Sequence, residues 1–337
     1  MTTTLTGVAR RCADLTADLD DGPPRTALIL GPTPLHLAPR LSDRLGAEIY
    51  LKRDDLTGLG FGGNKLRALE YLLADAQAQG CDSVVTGAGP QSNWTMLAAL
   101  SSIRLGLEPH IVSYGPPRTP SGNLLLQHRL GVAVHFTGDP DKASVDSAIA
   151  ATVDRLRAEG RRPYAIPRGG ATALGALGYV RASIEMCWQF TELGIDPLAV
   201  WLPTGSCGTH AGLAAGQALL HTRYEVVGVT VSRPGIECEQ RIRSMATEAA
   251  GRIGAGPIEP MATVAEGWIG PGYGLASPAG DTALDLVART EGIFLDPVFG
   301  AKAMAALIDS CRAGSVAGPV VFLVTGGGPA IFAEGNP

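Results

Sequence analysis

Phe61-Gly62-Gly63-Asn64-Lys65-Leu66-Arg67-Ala68-Leu69 is a glycine-rich turn that runs straight into a helical pattern. Leu66, Leu69, Leu72, Leu73 and Ala76 recur at helical spacing, and Gly80 offers the stop. Before the turn, residues 48–52 alternate as a strand; after the helix, residues 83–86 read as a short buried one. Strand, loop, helix, strand is the unit of a parallel sheet covered by helices. The lysine that ends the turn stands out. The chain has four lysines (Lys52, Lys65, Lys142, Lys302), and the other twenty-three of its 27 basic residues are arginines. An arginine stays charged, whereas a desolvated lysine can shed its proton and become a nucleophile. Lys65 is therefore the candidate covalent residue, although alone it is more simply an ordinary helix start.

The alternation continues outward. Strands are expected at 110–113, 132–136, 164–166, 198–202, 225–231, 292–295 and 320–324. Helices are expected at 94–105, 121–130, 141–159, 173–193, up to 220, and at 236–253, 282–290 and 300–313. Residues 1–30 carry little pattern, and 254–280 is a Gly/Pro-rich stretch containing Trp268 and Tyr273. The expected fold class is α/β, with two doubly wound parallel sheets.

Composition narrows the function. A chain of 337 residues suggests about two domains, and 45% hydrophobic residues supply a sizeable core. No apolar run approaches the roughly 18 residues of a membrane span. Arg10 and Arg11 lack the apolar core of a secretory signal behind them. Six scattered cysteines without a CxxC give neither a metal site nor a disulfide framework, and suit a reducing cytoplasm. A net charge of −5 without a basic run argues against nucleic acid.

Open parallel sheets bind ligands beyond the carboxyl ends of their strands. Three polar, glycine-rich loops sit at such ends. Thr204-Gly205-Ser206-Cys207-Gly208-Thr209 follows a strand and opens a helix, whose free N–H groups and dipole make an anion cradle, most simply for phosphate. It matches neither a Walker A nor a dinucleotide motif. Gly87 through Asn93 also opens a helix, and Gln91, Ser92 and Asn93 supply donors suited to a carboxylate. Thr325-Gly326-Gly327-Gly328 ends the last strand, where the Thr325 hydroxyl is a neutral partner for a ring nitrogen. Each loop alone is also explained as a turn or a helix cap. Together, a lysine, a phosphate cradle, a carboxylate cradle and a neutral hydroxyl suit pyridoxal phosphate carrying an amino acid.

The motifs Lys52-Arg53-Asp54-Asp55, Gly62-Gly63-Asn64-Lys65, Gln91-Ser92-Asn93, Thr204 through Gly212, Gly272-Tyr273-Gly274, Leu295-Asp296-Pro297-Val298 and Thr325-Gly326-Gly327 occur in this order. In that set the chain resembles the D-cysteine desulfhydrase and 1-aminocyclopropane-1-carboxylate (ACC) deaminase family, over about residues 30–332. The resemblance implies the tryptophan synthase β-subunit-like fold (fold type II), a homodimer, a large cofactor domain of residues 1–55 and 166–337, and a small inserted domain of 56–165. It implies that Lys65 forms the imine with pyridoxal phosphate and shuttles the substrate α-proton. Gly205, Ser206, Cys207, Gly208 and Thr209 would bind the phosphate. Ser92 and Asn93 would meet the substrate carboxylate, with Asn93 also near the ring hydroxyl. Thr325 would face the pyridine nitrogen, and Tyr273 would border the substrate.

The chain departs from the family in four places. Phe299 stands where a tyrosine is usual after Asp-Pro-Val, and Gly300 where the deaminase branch has a glutamate; both losses argue against ACC deamination. Trp94 follows Ser-Asn where a smaller or more polar residue is usual, so Trp94 and Phe299 make the substrate site more apolar. Cys207 occupies a glycine-like position in the cradle, either as a reactive thiol or, more simply, as a small packed side chain. The expected activity is a lyase that removes the α-proton of a small amino acid and expels a β substituent. Rivals are ACC-like ring opening, β-replacement or cyclisation, and a non-catalytic cofactor-binding module, against which Lys65, Ser92, Asn93 and Tyr273 speak.

Overall fold

The computed structural model describes residues 2–333. In chain order, α1 (Thr2–Asp20) precedes β1 (Leu35–Leu37), α2 (Pro39–Leu45) and β2 (Ile49–Arg53). Next come α3 (Lys65–Ala78), β3 (Ser83–Ala88), α4 (Asn93–Arg104), β4 (Glu108–Ser113), α5 (Gly122–Arg129), β5 (Val134–Phe136), α6 (Ser144–Ala158) and β6 (Pro163–Ala165). The rest is α7 (Ala173–Leu193), β7 (Ala199–Thr204), α8 (Gly208–Leu220), β8 (Glu225–Thr230), α9 (Gly235–Arg252), β9 (Thr263–Ala265), α10 (Pro278–Glu291), α11 (Gly300–Arg312) and β10 (Val320–Val324).

The strands form two sheets, in the orders β1-β2-β10-β7-β8-β9 and β5-β4-β3-β6. All pairings are parallel except β1 with β2 at one edge. Strands β3, β7 and β10 are buried along their whole length, as strands covered on both faces must be. Their alternate residues serve opposite layers. Trp201 and Phe322 face a core with Met304 and Leu307 of α11, while Leu202 and Leu323 face Tyr179 and Met186 of α7. In the smaller sheet, Val85 and Val112 are covered by Val145, Ile149, Val153 and Leu156 of α6. Each such side chain contributes about 1.5–3 kcal/mol when fully buried.

This topology places the site. Strands β2, β10 and β7 are neighbours, so the loops that leave their carboxyl ends emerge side by side. Helices α3, α7 and α8 stack closely because two glycines face a neighbouring main chain. A Cβ on Gly178 would clash with the Arg67 carbonyl, and one on Gly212 with that of Ala176. The N-termini of α3 and α8 are thereby brought to one place.

Some elements differ from expectation. Residues 1–30 contain α1, whose Cys12, Leu15 and Leu19 are buried at helical spacing. Three apolar residues among threonines and aspartates were too sparse a signal. The short β1, α2 and β9 were also missed, and β1 makes the larger sheet mixed rather than purely parallel. The strand expected at 292–295 does not form. Ile293 and Leu295 are buried and Phe294 is exposed, so the alternation is real, but the segment has no neighbouring strand to pair with.

Candidate active site

Lys65 is the first residue of α3, and the loop before it is bonded on two sides. Gly63 bridges Gly326, the Asn64 N–H donates to the Thr325 carbonyl at 3.0 Å, and Asn64 Nδ2 donates to Thr209 Oγ1 at 2.9 Å. Gly63 has φ +142°, and a Cβ there would strike Asn93 Nδ2, so only glycine fits. Burial drives the Lys65 ammonium down to about 8, although the charge of Asp296 and the thiol of Cys207 work the other way. At that value about a tenth of the amine is neutral and nucleophilic at pH 7, far more than for an ordinary lysine.

The base of α3 is equally fixed. Arg67 Nε and Nη2 donate to Asp54 at 2.7 and 2.8 Å, and Nη1 donates to Glu185 at 3.0 Å. Lys52 pairs with Glu185 and donates to the Thr33 carbonyl at 2.8 Å, while the Tyr179 hydroxyl bonds Asp54. Burial alone would raise the Asp54 carboxyl, but Arg67, Lys52 and the Tyr179 hydroxyl outweigh it and hold it at about 2. The Lys52 through Asp55 motif is thus the socket that seats the lysine-bearing helix.

The Thr204–Thr209 loop turns sharply into α8 at Cys207, which takes the left-handed conformation at φ +75°. Its side chain is buried against the core. Burial and the neighbouring Cys238 thiol push its thiol up, and its place in the core makes it a packed side chain. The first N–H groups of α8 project from this turn as an anion cradle. A Cβ on Gly205 would lie 3.2 Å from the Phe299 ring, so the cradle and that ring touch.

Asn93 is the first residue of α4, and its Oδ1 is buried without a hydrogen-bond partner. Gln91 locks this loop to the start of α5: its Oε1 accepts from the Asn123 N–H at 2.9 Å, and Nε2 donates to the Ser121 carbonyl at 3.0 Å. The Trp94 indole donates to Thr86 Oγ1 at 2.9 Å and covers Gly170. It forms a floor and sends no polar group into the cavity.

Across from these, Asp296 accepts from the N–H groups of Val298, Phe299 and Gly300 at 3.1, 2.7 and 2.8 Å. Those bonds fix the turn that presents Phe299. Burial raises the Asp296 carboxyl, and the same three amides oppose that. Tyr273 stands edge-on to Phe299 with ring centroids 6.1 Å apart, and Lys142 lies 5.4 Å over its ring. Burial, helped by Tyr114, pushes the Tyr273 phenol up to about 12.

One cavity of about 650 Å³ is lined by Lys65, Ser92, Asn93, Trp94, Gly205, Ser206, Tyr273, Phe299 and Thr325. Gly208 and Thr209 line a smaller recess beside it, again with Lys65 and Ser206. Cys207 lines neither. Sequence reading did not single out Asn64, Asp296 or Asn123, all on the cavity wall. Asn64 and Asp296 sat inside quoted motifs, but only their contacts reveal what they hold. A half-buried amine, a helix-terminal anion cradle and a hydroxyl around one cavity match the aldehyde, phosphate and ring nitrogen of pyridoxal phosphate.

The comparisons agree. Residues 26–326 match the family model described as "Pyridoxal-phosphate dependent enzyme". The chain is 41% identical over 321 residues to a D-cysteine desulfhydrase of Salmonella choleraesuis (strain SC-B67), covering 92% of this chain and 96% of that one. Among solved structures, an "ACC deaminase homologue" superposes with a TM-score of 0.89 at 35% identity, covering 94% of this chain and 96% of that one. Threonine deaminase isoform 2 from Solanum lycopersicum shares the fold, with a TM-score of 0.67 at 21% identity over 95% of this chain and 84% of that one. The architecture is fold type II, and the chain belongs to the pyridoxal-phosphate-dependent enzymes.

Proposed function

We propose that the enzyme is a lyase that takes the α-proton from a small amino acid and expels its β substituent, with D-cysteine as the leading substrate. The observation that carries this reading is the half-buried Lys65 amine on the cavity wall, held where the loops of Asn93, Gly205 and Thr325 converge. The names and extent of the relatives support it. When bound, pyridoxal phosphate supplies an electrophilic carbon and a ring that accepts the electron pair left by the departing proton.

The residues present fit that group. The α8 N-terminus with Ser206 and Thr209 would hold the phosphate. Thr325 offers a hydroxyl to the ring nitrogen, a neutral partner that suits elimination, where the carbanion is short-lived. Asn93, on the cavity wall with its Oδ1 unpartnered, would offer an acceptor to the ring hydroxyl. Ser92 and the N-terminus of α4 hold the substrate carboxylate. Lys65 Nζ takes the proton from Cα as the Cα–Cβ double bond forms and the thiolate leaves Cβ with the electron pair of the C–S bond. Hydrolysis then gives keto acid and ammonia beside the released sulfide. Tyr273 and Phe299 close the substrate side and exclude water.

Ring opening of a cyclopropane amino acid is the second reading, favoured by the likeness to the ACC deaminase homologue. Phe299 has no hydroxyl to give, and a side chain at Gly300 would press on Asp296 Oδ2 at 3.1 Å. Both weigh toward elimination; β-replacement or cyclisation would use the same lysine. The domain division at 56–165 and a homodimer belong to the same proposal. The exposed apolar side chains of Leu30, Leu56 and Phe61, near the lysine loop, support the dimer. Six free thiols support a reducing, cytoplasmic setting. Assay of D- and L-cysteine, β-chloroalanine, serine and ACC for keto acid tests the reading: turnover of D-cysteine supports it, and turnover of ACC alone refutes it.

A further inference from the structure

Lys302 is wholly buried at 0% exposure on the first turn of α11, three residues after Phe299. Its Nζ donates to the Ile269 carbonyl at 2.7 Å and to the Gly272 carbonyl at 3.1 Å. These carbonyls bracket the left-handed Gly270, and the second immediately precedes Tyr273. The loop is otherwise irregular, with Leu275 exposed and its N–H at a long 3.5 Å from the Gly272 carbonyl. One helix terminus therefore carries Phe299 directly and grips the Tyr273 loop through a lysine. An ammonium can serve two carbonyls from a single point on a four-carbon arm, a geometry that the planar arginine fork does not reproduce.

We propose that Lys302 is a positioning residue for substrate: it clamps the Ile269–Gly272 main chain so that Tyr273 and Phe299 stand as one wall of the cavity. This rests on the reading that Tyr273 borders the substrate. It also accounts for one of the four lysines that the sequence sets apart.

The test uses holoenzyme variants. Lys302→Met removes the donors at similar volume, and Lys302→Gln keeps N–H donors on a shorter arm. Lys302→Met should retain the cofactor absorbance and raise the D-cysteine KM about tenfold, with kcat changed less. Amide exchange at residues 270–275 should quicken by about tenfold. Lys302→Gln should recover part of both. On a Tyr273→Ala background, Lys302→Met should add almost no further loss, because the two act as one unit. Additive losses, or unchanged exchange at 270–275, would overturn the clamp, as would loss of cofactor in place of a KM effect. If Lys302→Met does not fold, Lys302→Gln carries the same readouts. Failure of the wild-type enzyme to turn over any small amino acid would sink the functional reading, while the exchange measurement would still test the clamp.

Discussion

The Asn64 N–H donates to the Thr325 carbonyl at 3.0 Å, which ties the lysine-bearing loop to the last strand of the chain. The same residue's side chain reaches Thr209 in the anion cradle at 2.9 Å. One asparagine can span both because the strand order sets the carboxyl ends of β2, β10 and β7 side by side. Lys65 is thus placed by its neighbour, and the cradle and the Thr325 hydroxyl are held in register with it.

Asn64→Ala should leave the main-chain bond intact and remove the link to Thr209. A hydrogen bond of this kind is worth about 1 kcal/mol net. Equilibrium titration of the visible cofactor absorbance should show affinity falling about five- to tenfold. Unchanged affinity would mean that the cradle is held without Asn64.

The desolvated Lys65 amine makes a pH prediction for the apoprotein. Its folded value, about 8, lies below the ordinary 10.5, so the unfolded chain binds more protons between the two. The cost of burying the charge is therefore full below pH 8, and stability contributed by this group rises with pH through that window. Urea midpoints of the apoprotein should show this rise, and Lys65→Met should flatten it. Capture of the cofactor needs the neutral amine, so its rate should climb with a midpoint near pH 8. Asp296→Asn removes a charge that raises the amine's pKa, and should move that midpoint down.

Arg67→Met leaves Asp54 buried and without its guanidinium partner. Breaking a buried pair from one side costs about 3–5 kcal/mol. Denaturant unfolding should register a loss of that order, and the surviving folded fraction should bind cofactor more weakly because α3 loses its socket. A loss of well under about 1 kcal/mol would show the network to be dispensable.

Phe299→Tyr restores a hydroxyl at the ring that touches Gly205 and Tyr273. The ratio of ACC to D-cysteine turnover should rise by about tenfold, the effect of about 1.4 kcal/mol at the transition state. An unchanged ratio would show that the missing hydroxyl does not set the choice between the two chemistries.

Much of the fold was legible because its strands and helices are strongly periodic and its loops are marked by glycine. Helix α3 ends just before Gly80, the stop that the sequence offered, which takes the left-handed conformation at φ +67°. What stayed hidden had no periodic signal or depended on distant partners. Helix α1 has a sparse apolar stripe, and the 292–295 segment alternates without a strand to pair with. The lysine and the cradle could be read from local chemistry. Asn64 and Lys302 could not, since each acts through groups far away in sequence, and Asp296 could not, since only the folded turn aims the Val298, Phe299 and Gly300 amides at its carboxylate.

Reduction of the holoenzyme with borohydride, followed by peptide mapping, tests the central claim most directly. The visible absorbance should bleach and the cofactor should be fixed on Lys65 alone. A colourless protein, or a label on Lys52, Lys142 or Lys302, would contradict it.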